Sequence, residues 1–354
     1  MQSHEDVFDG PETRQPTILA VYNQKGGVGK TTTSVNLAIG LAALGKKVVL
    51  IDFDPQSSAT SNFLLKEKAE VGIHDLLNQD AFVEDAVTPT AFDGLSMIIG
   101  ARKLYSLEHA LDNRGGSQRG LRRALHFSRN PPDYIVIDCP PALGHLAAGA
   151  LAAADRLVLP VFPGRYALDG LKRTLSVVEH IQNGMNPALD VAGVLMLSVT
   201  NDEIGRESLT QLRAECPELL FRTAIAYDID VVKATYRRMP AMIFNPEGKT
   251  TTRFLALASE VVAGRGKVAS DAELAKAQDR IRQWHADNDA SYSGTERARG
   301  NVDSDDGPGG TAGQGGRSRG AVIAAGLVGL VAGFLLGAFA GAPLLGSVLA
   351  QGGP

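Results

Sequence analysis

Three short stretches of this chain carry residue types and spacings that can do chemistry. The first is Gln24-Lys25-Gly26-Gly27-Val28-Gly29-Lys30-Thr31-Thr32. Gly26, Gly27 and Gly29 let backbone N–H groups turn inward around phosphate oxygens, and a helix opening behind them adds the positive potential of its N-terminus. In such a loop Lys30 reaches the β- and γ-phosphates of a nucleotide, and the Thr31 hydroxyl ligates Mg²⁺. The usual phosphate-loop pattern places a glycine six residues before the lysine. Gln24 stands there instead, so the form is the variant KGGxGK[ST], with an additional lysine at Lys25. The second stretch is Ile51-Asp52-Phe53-Asp54-Pro55-Gln56. Two carboxylates two residues apart project to one side if strand geometry persists, so one is expected to assist the metal shell and the other to orient water. The third stretch, Tyr134-Ile135-Val136-Ile137-Asp138, ends an apolar strand on an acid before Cys139-Pro140-Pro141. That is the Walker B arrangement, which holds Mg²⁺ directly or through water. The expected nucleotide set is therefore Gly26, Gly27, Val28, Gly29, Lys30, Thr31 and Thr32, and the expected metal set is Thr31, Asp54 and Asp138.

Such residues need a scaffold that brings strand ends together. Short runs rich in β-branched residues occur at Ile18–Tyr22, Val48–Ile51, Tyr134–Ile137, Arg156–Val161 and Val191–Val199. Their hydrophobicity is continuous rather than alternating, the mark of strands buried on both faces in a parallel sheet. Stretches of helical period lie between them, among them Thr31 to Leu44, closed by Gly45, and Ala167 to Gln182. This rhythm predicts a doubly wound, mostly parallel α/β domain over residues 17–265, with the acids at the C-terminal edge of the sheet, where ligands bind in such folds.

The three blocks, in order and spacing, resemble the ParA/MinD class of P-loop ATPases with a deviant Walker A loop. The resemblance spans roughly Thr17 to Val262. It is closer to the Soj-like ParA branch, on Asp52-x-Asp54-Pro55-Gln56 and on Gly144-His-Leu-Ala-Ala-Gly-Ala-Leu151. It implies ATP and Mg²⁺ as ligands and a sandwich homodimer formed on ATP binding. Lys25, by this resemblance, reaches across to the partner's nucleotide, and Lys25, Lys30 and Asp54 form the catalytic set, Asp54 positioning the attacking water. It also implies slow turnover stimulated by a ParB-like partner protein, and binding of the ATP dimer to non-specific DNA or to a membrane. Three segments depart from the pattern. Phe162-Pro163-Gly164 replaces Gln-x-Glu, Ala226-Tyr227-Asp228 replaces Pro-Arg-Asn at the adenine, and Asp230 stands where DNA-binding members carry arginine. Basic residues that remain for DNA are Lys233, Arg237, Arg238, Lys249 and Arg253. The function expected is cargo positioning, with DNA partition first and a membrane-anchored, MinD-like positioning factor or nucleotide-gated scaffold second.

Composition removes other classes. With 354 residues, 44% apolar and 21% charged, the chain is not globally disordered, and a net charge of −4 excludes a wholly basic nucleic-acid coat protein. Two distant cysteines, Cys139 and Cys216, exclude a disulfide framework and a CxxC centre. Beyond the catalytic domain the reading is modular. Residues 1–16 form an acidic arm, 266–290 hold an amphipathic helix carrying Leu274, Ala277, Ile281 and Trp284, and 291–320 form a Gly-rich tether. Residues 321–342 are uncharged and, at ~1.5 Å rise per residue, long enough to cross a ~30 Å hydrocarbon core. Gly329, Gly333, Gly337 and Gly341 would line one face of that helix, and Arg317 and Arg319 before it favour a cytoplasmic ATPase domain, with 343–354 as a short tail.

Overall fold

The computed structural model describes residues 15–63, 65, 71–78, 81–100, 104, 120–125 and 130–300, with residues 289–300 as backbone alone. The chain divides into two units, Met1–Gly300 and Asn301–Pro354. The second lies wholly outside the described residues, and with it the expected transmembrane helix and its glycine stripe. Among the described residues no helix is long and apolar enough to cross a membrane.

The strands are β1 (Thr17–Val21), β2 (Val48–Asp52), β3 (Thr88–Pro89), β4 (Leu95–Ile98), β5 (Tyr134–Asp138), β6 (Arg156–Val161) and β7 (Asp190–Met196). The helices are α1 (Lys30–Ala43), α2 (Ser58–Asn62), α3 (Ile73–Leu77), α4 (Val83–Ala86), α5 (Gly120–Ala124), α6 (His145–Ala153) and α7 (Ala167–Gly184). After these come α8 (Glu203–Glu215), α9 (Ile229–Tyr236), α10 (Ala241–Phe244), α11 (Lys249–Ala263) and α12 (Asp271–Gly300). The seven strands lie in the order β3-β4-β2-β5-β1-β6-β7. All pair in parallel except β3, a two-residue antiparallel strand at the edge.

The continuous apolar runs work as expected. Alternate residues serve opposite faces, so Ile18, Ala20, Val49, Ile51, Ile135 and Ile137 pack with α3, α6 and α7, whereas Leu19, Val21, Leu50 and Val136 pack with α1, α11 and α12. The helix that opens behind the phosphate loop is itself nearly enveloped. A Cβ on Gly40 would lie 2.9 Å from Ala258 Cβ, so glycine is what lets α1 and α11 cross this closely. The last apolar run is shorter than read, because β7 stops at Met196 and the chain turns at Ser198, φ 57°.

The C-terminal helix differs from expectation at its far end. Leu274, Ala277, Ile281 and Trp284 do form its packing face, with Trp284 against Phe92 at 5.6 Å between ring centroids. Arg280 donates to the Ala43 carbonyl at the end of α1. The helix begins at Asp271, and its backbone continues to Gly300, past the expected tether start at 291. Glu296, Arg297, Ala298 and Arg299 favour helix, and the glycine-dense sequence begins only beyond them.

Candidate active site

β1 is flanked by β5 and β6, so its C-terminal end opens among three parallel strand ends. The turn there is set by glycine. Gly27 and Gly29 have φ of 72° and 80°, the left-handed region in which a side chain is strained, and a Cβ on Gly29 would also approach Leu197 Cδ1 to 2.8 Å. Gln24 to Gly27 are exposed, while Val28 is buried beneath them as the peg of the loop.

Lys30, the first residue of α1, is only 7% exposed. Its Nζ donates to the carbonyls of Asn23 and Lys25, each at 3.1 Å. The ammonium thus spans the loop from inside, with Lys25 itself exposed on the rim. Burial pushes the Lys30 pKa down, and the neighbouring charges of Asp138, Cys139 and Asp54 oppose that shift. Asn23 is a site residue the sequence did not announce. Its Nδ2 donates to Pro160 O at 2.8 Å, and its Oδ1 accepts from the Lys25 N–H at 3.0 Å, tying the loop to β6.

Asp138 ends β5 directly behind α1. Its Oδ2 accepts from Thr31 Oγ1 at 2.8 Å and its Oδ1 from Ser34 Oγ at 2.9 Å. The predicted metal residues Thr31 and Asp138 are therefore in contact across 107 residues of sequence. Ser34 was missed. Its only signal was helical spacing, three residues past Thr31 and so on the same face of α1. Asp138 is fully buried, and burial first, then the charge of Asp52, pushes its pKa up to about 8.

Asp52 corrects the reading of paired carboxylates projecting to one side. It is 0% exposed and turned inward, where Oδ2 accepts from both the N–H and the Oγ1 of Thr60 at 2.7 Å. It holds α2 in place, and its Oδ1 accepts from the Asp54 N–H at 3.3 Å. The cause is local: β2 ends at Asp52, so the alternation that would align Asp54 with it is lost in the turn at Asp54–Gln56. Asp54 is the outward acid. Its Oδ1 accepts from the Gln56 N–H at 2.9 Å, and burial raises its pKa against the opposing pull of Lys30.

These residues fit a nucleoside triphosphate with Mg²⁺. The glycine turn exposes its backbone toward solvent, a buried lysine lies beneath it, and a hydroxyl–carboxylate pair stands beside it. Among the described residues no three His, Cys, Asp or Glu side chains could hold a metal by themselves. Mg²⁺ characteristically takes one or two carboxylates and completes its shell with phosphates and water. A pH dependence follows. The unfolded value of an aspartate is about 3.9, so the raised Asp138 contributes stability that is fully present below about pH 4 and lost as pH rises toward about 8. A divalent cation favours the carboxylate and opposes that loss. In a differential scanning measurement, Tm without the cation should fall between about pH 5 and 8, and Mg²⁺ with nucleotide should raise Tm more at the upper end.

The departing segments are also placed. Phe162 packs 3.7 Å from where a Cβ on Gly29 would stand. Asp228 caps α9 through the Asp230 N–H at 2.9 Å and accepts from Thr250 Oγ1 at 2.7 Å. Asp230 accepts from Asn245 at 2.7 Å and pairs with Lys233 at 3.1 Å. Of the basic residues read for DNA, all five are exposed, but Lys233 is held by that pair and Arg237 lies over the Phe244 ring at 5.2 Å. Cys139 is 1% exposed and its thiol is pushed up by burial, which makes it a packing residue.

A strand-end loop of this form on a doubly wound parallel sheet, with the lysine beneath it and the acid of the adjacent strand bonded to the first turn of the helix, defines a P-loop ATPase. Comparison with known proteins agrees. Residues 16–191 match the family model described as an AAA domain. The chain is 37% identical over 249 residues to the sporulation initiation inhibitor protein Soj of Bacillus subtilis, a match covering 70% of this chain and 98% of Soj. It is 32% identical over 250 residues to the chromosome partitioning protein ParA of Caulobacter vibrioides, covering 70% and 94%. Among solved structures, the septum site-determining protein MinD of Pyrococcus horikoshii, complexed with Mg-ADP, superimposes with a TM-score of 0.59 at 26% identity, covering 71% and 98%. The chain belongs to the Soj/ParA family.

Proposed function

We propose that this chain binds ATP and Mg²⁺, closes into a homodimer on the nucleotide, and uses slow, partner-stimulated hydrolysis to position or segregate a cargo, with DNA partition the leading case. The observation that carries the reading is the contact of Thr31 and Asp138 beneath the phosphate loop, which sets a hydroxyl and a carboxylate beside the place where the phosphates must lie. Bound Mg²⁺ would neutralise charge on the β- and γ-phosphate oxygens. The chain's own residues do the rest. The loop N–H groups and Lys30 hold the phosphates, Asp54 orients the attacking water in line, and exposed Lys25 reaches the nucleotide of the partner subunit. Positioning and charge neutralisation supply most of the acceleration. The relatives named for chromosome partitioning support the cargo reading.

A second reading, a membrane-anchored positioning factor that does not bind DNA, is favoured by the α9 segment. Asp230 replaces the expected arginine there, and Lys233 is neutralised by it. In both readings residues 321–342 serve as a fixed membrane anchor, with the ATPase domain on the cytoplasmic side. Steady-state ATP hydrolysis with and without non-specific DNA separates the two. DNA partition predicts stimulation that fades steeply with salt, and an unchanged rate favours the scaffold. Carbonate extraction of the full chain and of a chain ending at Gly320 tests the anchor. Release of both chains alike would remove it.

A further inference from the structure

The chain enters the phosphate loop without the glycine that usually opens it, since Gln24 stands in that place. Asn23 supplies the turn instead. β1 and β6 run in register with Val21 opposite Val158, which sets Asn23 level with Pro160. β1 ends at Val21, and Tyr22 still donates its N–H to Val158 O at 3.2 Å. At Asn23 the side chain takes over. Its Nδ2 donates to Pro160 O at 2.8 Å, so the amide prolongs the ladder while the main chain peels away into the loop.

The peeled segment then holds the loop from below. Asn23 Oδ1 accepts from the Lys25 N–H at 3.0 Å, the side-chain turn that Asn forms with the backbone two residues on. The Asn23 carbonyl accepts from Lys30 Nζ at 3.1 Å, and the same Nζ donates to the Lys25 carbonyl at 3.1 Å. Both main-chain groups of Lys25 are thus tied, one by Asn23 and the other by a lysine that Asn23 itself holds. Pro160 O can only accept and the Lys25 N–H can only donate, which fixes the amide one way round. Asn23 is 4% exposed, with Thr174 Oγ1 of α7 at 3.4 Å from its Oδ1. The Lys25 side chain is exposed on the rim and has no hydrogen-bond or ion-pair partner among the described residues. Its main chain therefore sets where it points.

We propose that Asn23 is the positioning residue for Lys25, its Oδ1 bond fixing the Lys25 peptide so that the ammonium is aimed at the nucleotide of the partner subunit. This rests on the role across the dimer given to Lys25 above. Once nucleotide binds, phosphate draws the Lys30 ammonium away from the Lys25 carbonyl, and the Asn23 bond carries the orientation. A misplacement of ~1 Å in a reacting assembly costs up to about 10² in rate. The effect belongs to turnover and not to affinity, because the glycine N–H groups and Lys30 stay in place in any side-chain variant of Asn23.

The test is single-turnover hydrolysis of Mg-ATP by the full chain, with nucleotide Kd measured by calorimetry. Asn23→Ala should lower the hydrolysis rate about 10- to 100-fold while Kd stays within a few-fold. Asn23→Ser loses the tie to Pro160 but keeps a hydroxyl that accepts from the N–H two residues on, so its rate should recover to within about threefold of the parent. In a Lys25→Ala background, Asn23→Ala should add no more than about a twofold loss. Equal losses in the Ser and Ala variants would make Asn23 a brace on β6 and overturn the proposal. A loss that multiplies with that of Lys25→Ala, or an unchanged rate in Asn23→Ala, would overturn it too. Full turnover in Lys25→Ala alone would instead strike the role of Lys25 across the dimer, and the inference with it. If Asn23→Ala melts early, Asn23→Leu, of similar branched shape and without either bond, takes its place in the same comparisons.

Discussion

Replacing Lys30 by alanine should abolish nucleotide binding. Its ammonium is the cation at the centre of the loop, held by the Asn23 and Lys25 carbonyls at 3.1 Å and shielded from water by burial. A charge-assisted hydrogen bond contributes about 1.5–3 kcal/mol, and Lys30 would supply more than one to the β- and γ-phosphates. The loss should therefore be at least a hundredfold in Kd, on the scale of ~1.4 kcal/mol per factor of ten. The substitution also removes the positive charge that offsets Asp54 and Asp138, so a phosphate arriving in the loop meets uncompensated carboxylates. Titration calorimetry with Mg-ATP checks this. Micromolar binding retained by Lys30→Ala would remove the lysine from the site. The fold should survive at some cost, because the substitution removes two hydrogen bonds that the ammonium donates, one to the carbonyl of Lys25 on the exposed rim and one to that of buried Asn23.

Asp54→Ala should separate binding from chemistry. Asp54 makes no bond to Lys30, Thr31 or Asp138, and its carboxylate is fixed only to the Gln56 N–H, on the outward side of the turn. Nucleotide affinity should stay within a few-fold of the parent. Turnover should fall by about 10²–10⁴, the range for loss of a group that positions or deprotonates the attacking water. Single-turnover hydrolysis after confirmed ATP binding is the measurement, and full turnover in Asp54→Ala would refute the assignment. Asp52→Ala gives the contrast. Asp52 satisfies two buried donors of Thr60, so its removal should lower stability by about 1–3 kcal/mol while leaving the phosphates their loop. The two variants together separate the acid proposed for chemistry from the neighbour that braces the fold.

Much of this site was legible before any coordinates, for a definite reason. The phosphate loop is contiguous, so Gly26 to Thr32 state their purpose through local backbone geometry alone: positive φ at Gly27 and Gly29, then a helix. The acid ending β5 was legible because a strand buried on both faces admits a carboxylate only where it emerges. The placement of Asp52 was not. Period-two alternation says which residues share a face while a strand lasts, and nothing in Ile51 to Gln56 reveals that it stops at Asp52.

By itself, then, the sequence determined the class of fold and the local turn-then-helix geometry of the glycine loop, both of which rest on patterns within about ten neighbouring residues. The tertiary structure alone decided what depends on distant segments meeting. It set Thr31 and Ser34 against Asp138, hung Asn23 from Pro160, turned Asp52 inward onto Thr60, and ran α12 across the end of α1. Those contacts exist because β5 and β6 flank β1 in the sheet, an order fixed by how the crossovers pack and not by any residue in the loop.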